Sequence, residues 1–148
     1  RTTDWTVPVP DVNGNPYFVF LEMRDSTGNT VSQNSYWLAE NNDFRPIFDM
    51  PSANLKVESF VSDDSDSRKL TVRVSNQSEQ IAFFIDMQLI RKSSLEPIEP
   101  AFWSDNYMTF KPGQYRVIEA ELPAKFDEQD VQIRWEGVNV PTQTQEFQ

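Results

Sequence analysis

The sequence predicts an all-β fold: an antiparallel β-sandwich of about seven strands with a β-hairpin ahead of it. Three observations carry this. Alternation of apolar and polar residues with period two dominates, and no stretch keeps helical spacing over about 11 residues. From Leu55 onward, turn-forming clusters recur roughly every 8 to 12 residues. Apolar residues make up 38% of the 148-residue chain and include 11 Phe, enough bulk to fill the interior of one sandwich but not of two full domains.

The elements follow in order. Tyr17 to Arg24 (YFVFLEMR) is rich in β-branched and aromatic residues, Asp25 to Asn29 is a turn cluster, and Thr30 to Leu38 (TVSQNSYWL) resumes the strand pattern, which reads as a hairpin. Residues 39–54 are polar at first and hold Pro46 and Pro51, so they read as a connector without strands. A strand is expected from Leu55 to Ser62. After the acidic turn Asp63 to Ser67, Leu70, Val72 and Val74 point one way and Thr71, Arg73 and Ser75 the other, giving one core face and one wet face.

Beyond Asn76-Gln77-Ser78-Glu79, strict alternation puts Ile81, Phe83, Ile85, Met87 and Leu89 on the core side and Ala82, Phe84, Asp86 and Gln88 on the other. Arg91 to Ala101, with Pro97 and Pro100, reads as a loop. Strands are then expected at Asn106 to Phe110, at Tyr115 to Glu121, around Val131, Ile133 and Trp135, and along an edge after Gly137. Strand number and spacing together match an immunoglobulin-like sandwich. Counted this way, residues 1–44 form a hairpin plus connector, either the last two strands of a preceding immunoglobulin-like domain or an N-terminal addition to this one, and 45–148 form the sandwich.

Composition narrows the function. There is no His and no Cys, which removes thiolate and imidazole nucleophiles, bases and metal ligands, and disulfides. The formal charge is −10 and no Lys/Arg cluster is present to neutralise phosphates, so nucleic acid and anionic membranes are poor partners. No apolar run approaches the roughly 20 residues of a membrane span. The first residue is Arg1, which reads as a piece of a longer polypeptide.

Four local features invite a sharper reading. The acidic loop 63–67 could bind calcium, but it lacks the Gly and distal Glu of an EF-hand loop and fits a solvated turn. Asn76-Gln77-Ser78 is an N-glycosylation sequon, a triplet common by chance. Trp5, Tyr36, Trp37 and Trp103 could stack on sugars, although burial is the commoner fate of Trp. In Trp103 to Gln114 (WSDNYMTFKPGQ), Trp103, Asp105, Asn106 and Tyr107 are the candidate contacts for a ligand or a neighbouring domain. The simpler use of Asp105 and Asn106 is to accept backbone N–H groups two residues on, and Pro112-Gly113 fits the centre of a type II turn. Tyr107 and Phe110, three apart, should fall on opposite faces of one strand.

Three stretches, in this order, resemble the C-terminal region of family 2 glycoside hydrolases of the β-mannosidase and exo-β-glucosaminidase group. Residues 17–38 look like a closing immunoglobulin-like hairpin, with a D-x-x-G turn and the ending Ser32, Asn34, Tyr36, Trp37, Leu38. Residues 74–91 and 103–114 resemble the terminal immunoglobulin-like domain, where an A-F-F-type strand precedes S-D-N-(Y/F) and P-G-(E/Q). Met108 stands where an aromatic is frequent and Gln114 where Glu is frequent.

The resemblance implies a bacterial, extracytoplasmic, multidomain exo-acting glycosidase whose catalytic glutamates belong to a (β/α)₈ barrel of about 250 residues. Such a barrel cannot fit in this chain. No catalytic residue, cofactor or metal site is therefore carried over, and the retaining chemistry, with two carboxylates about 5 Å apart, lies elsewhere in the parent. The implied role is an accessory one: packing against other domains of the same polypeptide and rimming a substrate pocket. The alternative is a carbohydrate-binding or cell-surface adhesion module whose partner is an oligosaccharide.

Overall fold

A computed structural model describes Thr6, Pro8 and residues 11–63, 68–122 and 128–147. The chain separates into two compact units, residues 1–49 and 50–148. Trp5 and most of the acidic loop, residues 64–67, lie outside the described residues.

In the first unit, β1 (Tyr17–Arg24) and β2 (Thr30–Leu38) pair antiparallel from Tyr17↔Leu38 to Met23↔Ser32. The turn between them is organised by Asp25, whose Oδ1 accepts the N–H groups of Thr27 and Asn29, each at 2.9 Å, and the Thr27 hydroxyl at 2.6 Å. Gly28 at φ +90° supplies the left-handed step. These bonds hold the Asp25 carboxyl below the usual carboxylate range, with the Thr27 hydroxyl the largest cause. The connector carries only two short 3-10 turns, Glu40–Asn42 and Arg45–Asp49. Among the described residues of this unit Ile47 alone is buried, while Leu21, Met23, Val31, Tyr36, Trp37 and Leu38 are exposed.

The second unit is a sandwich of two four-stranded antiparallel sheets. One has the order β3 (Leu55–Asp63), β4 (Arg68–Asn76), β8 (Tyr115–Glu121), β6 (Phe102–Trp103). The other runs β10 (Val140–Glu146), β9 (Val131–Gly137), β5 (Ala82–Arg91), β7 (Met108–Phe110). Among the described residues the sandwich has eight strands, the one beyond the expected seven or so being the two-residue β6, too short to show a period. Leu70, Val72 and Val74 are fully buried, as their alternation requires, and pack with Ile85, Met87, Met108, Phe110, Ile118, Ile133 and Trp135 in one core.

Strand β5 departs from strict alternation. The core takes Ala82 and Ile85, three residues apart, and leaves Ile81 only half-buried. A bulge explains this: Ala82 pairs with Phe110 and Ile85 with Met108, with a register shift between them, and Phe84 sits at φ +56°. Gly137 lies against the bulge. A Cβ there would come within 2.5 Å of Ile85 Cδ1 and 2.7 Å of the Phe83 carbonyl, so only glycine fits.

Candidate functional site

The segment from Trp103 to Gln114 crosses from one sheet to the other, and its polar side chains do the joining. Trp103 pairs with Ala120 and packs its half-buried ring against the core. Ser104 prolongs that ladder: its N–H donates to Glu119 O at 2.8 Å and its hydroxyl oxygen accepts the Glu119 N–H at 2.9 Å. Asp105 turns away to accept Arg116 Nη1 at 2.8 Å, and that guanidinium lies 5.5 Å over the Phe110 ring.

Asn106 holds the crossing to β5. Its Oδ1 accepts the N–H of Met87 at 2.8 Å and of Tyr107 at 3.0 Å; its Nδ2 donates to Met87 O and Asp86 Oδ1, both at 3.1 Å. The side chain thus stands in for a strand residue, so β7 begins only at Met108, two residues later than the sequence suggests. Asp105 and Asn106 do not use the local i+2 acceptor geometry expected of them. Tyr107 is at φ +52° and 58% exposed, whereas Phe110 is fully buried; Tyr107 lies outside β7, whose three residues are all buried, so the division comes from the crossing and not from two faces of one strand. Gln114 N–H donates to Lys111 O at 3.1 Å with Gly113 at φ +70°, as a type II turn requires.

Two further asparagines act like Asn106. Asn76, only 1% exposed, donates Nδ2 to Gln80 O at 2.6 Å and to Phe110 O and Lys111 O at 3.3 Å, while its Oδ1 accepts the Ser78 N–H and hydroxyl. The amide nitrogen that glycosylation would modify is buried and bonded, so the sequon serves the fold. Asn139, which sequence reasoning passed over, accepts the Phe83 N–H at 2.9 Å and donates to Pro51 O at 2.8 Å and Ile81 O at 2.7 Å. No local pattern could have marked it, because its partners lie up to 88 residues away.

Around this segment the surface forms open grooves. One of 270 Å³ gathers Trp103, Asn106 and Tyr107 with Asp86, Gln88 and Glu99; Asp105 is not part of it. A neighbour of 570 Å³ is lined by Phe84, Asp86, Glu136 and Thr142. Between them, Tyr107 and Phe84 pack ring to ring at 5.1 Å. A third, of 510 Å³, lies beside Trp103 and Phe102 with Lys69, Glu119 and Glu121. Among the described residues no three acids converge as a metal site would need. Among the described residues the grooves offer rings, carboxylates and amide groups for contact.

Residues 34–140 match the family described as the exo-beta-D-glucosaminidase Ig-fold domain. An exo-beta-D-glucosaminidase of Arthroderma benhamiae is 28% identical over 69% of the chain and 13% of its own length. One of Amycolatopsis orientalis is 26% identical over 97% of the chain and 16% of its own. The crystal structure of Amycolatopsis orientalis exo-chitosanase CsxA superposes with a TM-score of 0.78 at 24% identity, over 95% of this chain and 19% of that one; at that identity the likeness speaks for the fold. The chain thus spans less than a fifth of the relatives it matches.

Proposed function

This chain belongs to the exo-β-D-glucosaminidase Ig-fold domain family, and from that premise we propose that it is a non-catalytic accessory part of a multidomain, exo-acting, retaining glycosidase of the β-mannosidase or exo-β-glucosaminidase kind. Its work is structural. Residues 17–38 close the sheet of a preceding domain, and the sandwich packs against other domains of the same extracytoplasmic bacterial polypeptide, at the rim of the substrate pocket.

The observation that carries this reading is the hairpin. A two-stranded sheet is at best marginally stable in water, and its open edges invite a further strand. Here it also exposes six large apolar side chains, more than a solitary hairpin tolerates. The sandwich has its own apolar patch: by register, Phe60, Phe102, Tyr115 and Val117 share the outer face of the β3–β4–β8–β6 sheet. Rings gathered this way suit a neighbouring domain.

The rival reading, a carbohydrate-binding module, draws on exposed Tyr107 beside Phe84. Those two rings are inclined at 36° to each other, and among the described residues the remaining exposed rings of the sandwich lie on the other sheet, so Tyr107 and Phe84 do not extend into a flat platform. Deleting residues 50–148 from the full-length polypeptide should lower its melting temperature or weaken its kinetics on long oligosaccharides. Unchanged stability and kinetics would reject the packing role, and saturable binding of gluco- or manno-configured oligosaccharides to the isolated chain would favour the rival.

A further inference from the structure

The grooves on the outer face of the β10–β9–β5–β7 sheet meet at a combination of groups that the fold does not need. Asp86 on β5 stands directly opposite Glu136 on β9, and like charges in that position repel. Neither carboxylate pairs with Lys or Arg among the described residues. The nearest base, Arg134, donates to Gln88 instead. Asp86 Oδ1 accepts Asn106 Nδ2 at 3.1 Å and Glu136 Oε2 accepts the Thr142 hydroxyl at 2.6 Å, which fixes both acids and leaves lone pairs turned to the groove.

Independently of the acids, two bulky aromatics stand beside them in backbone conformations such residues avoid: Phe84 at φ +56° and Tyr107 at φ +52°. Their rings meet at 5.1 Å on the surface and remain 38% and 58% exposed. Negative charge beside the faces of two rings favours a cation that is flat and weakly hydrated. Of the side chains, arginine fits best, since its guanidinium can lie on a ring while its N–H fork reaches a carboxylate.

We propose that this junction of Phe84, Tyr107, Asp86 and Glu136 is a docking socket for an arginine side chain of another domain of the same polypeptide. The inference rests on the accessory-domain reading and specifies the chemistry of its partner. Charge complementarity supports it, because the chain carries −10 and the open carboxylate pair lies at the centre of the socket. So does length: the relatives contain more than five-sixths of their chain outside the matched region, ample to supply the partner.

The test is a titration of the isotopically labelled 148-residue chain with Nα-acetyl-arginine amide, followed by amide chemical shifts. Saturable shifts centred on Phe84, Asp86, Tyr107 and Glu136, lost in Glu136→Gln and weaker with Nα-acetyl-lysine amide, are expected. Glu136→Gln should keep the Thr142 bond, so it should fold. In the isolated chain that variant should raise the melting temperature slightly by relieving repulsion, and in the full-length polypeptide it should lower it by removing the arginine's partner. No saturable shift, shifts unaffected by Glu136→Gln, a larger response to glucosamine than to the arginine probe, or the same thermal shift in both contexts would each overturn the proposal. The titration uses the 148-residue chain alone, so its failure is separable from failure of the deletion experiment.

Discussion

The hairpin of residues 17–38 and the sandwich of residues 55–146 are both antiparallel sheet, yet among the described residues the second has a buried core and the hairpin contributes no buried residue. Both contain β-forming strands paired in register, and each has a turn with a glycine at positive φ, Gly28 and Gly113. What separates them is the partner layer. In the sandwich every inward face meets another sheet, and Leu70, Val72, Ile85, Met87, Phe110 and Ile133 are essentially sealed from water. In the hairpin Leu21, Met23 and Val31 meet solvent. Propensity and pattern therefore specify a strand, while burial decides whether the strand can stand alone.

The largest effect that would test this contrast is a pair of truncations of side chains. Phe110→Ala should cost about 3–5 kcal/mol by urea unfolding, whereas Leu21→Ala should change the same transition by no more than about 0.5 kcal/mol. Comparable losses would mean that the hairpin shares the sandwich core. Gly137→Ala comes next, at about 1–3 kcal/mol, because its methyl would collide with Ile85 and the Phe83 carbonyl. A wild-type melting temperature in that variant would show that the bulge can shift.

Removing an asparagine clamp should act at a similar or smaller scale. Asn139→Ala strands the Phe83 N–H and the carbonyls of Pro51 and Ile81, a loss of about 1–3 kcal/mol. At the hairpin turn, Asp25→Ala loses only exposed local bonds and should leave the cooperative transition within about 0.5 kcal/mol of wild type.

The smallest effect is the response to acid. Asp43 is held down to about 2, chiefly by its bond from Arg45, and Asp130 is lowered by bonds from the Ser93 N–H and hydroxyl and by Arg91 and Lys92. A carboxyl whose folded pKa lies below its unfolded value adds stability that is complete above the unfolded value and fades as pH falls through the folded one. The Asp43–Arg45 pair is two residues apart and survives unfolding in part, so it should contribute little. Asp130 reaches across 37 residues to Ser93 and exists only in the fold. Asp130→Asn should therefore flatten the loss of stability below about pH 4, while Asp43→Asn should leave its slope unchanged; the reverse order would place the acid-sensitive contact in the first unit.

Much of this contrast is legible in the chain itself. Strands 17–24, 30–38 and 115–121 are read correctly because each is a run of β-forming residues bounded by turn clusters. The break at Phe83–Phe84 is not, since a bulge keeps the composition of a strand and changes only its phase. β6 escapes notice because two residues have no period. At the candidate site, Trp103, Asn106 and Tyr107 do converge on one groove, while Asp105 is drawn off by Arg116. The roles of Asn76, Asn106 and Asn139 depend on partners brought near by folding, and the opposition of Asp86 to Glu136 depends on β5–β9 register. Neither leaves a mark on local sequence.

Native-state hydrogen exchange of the 148-residue chain reads the stability of both regions in one molecule. A self-sufficient sandwich and a hairpin that needs a neighbouring domain predict strong protection for the paired amides of β4, β5 and β9, reaching the global unfolding free energy, and little protection for those of β1 and β2. Equal protection in the hairpin and the sandwich would contradict this contrast.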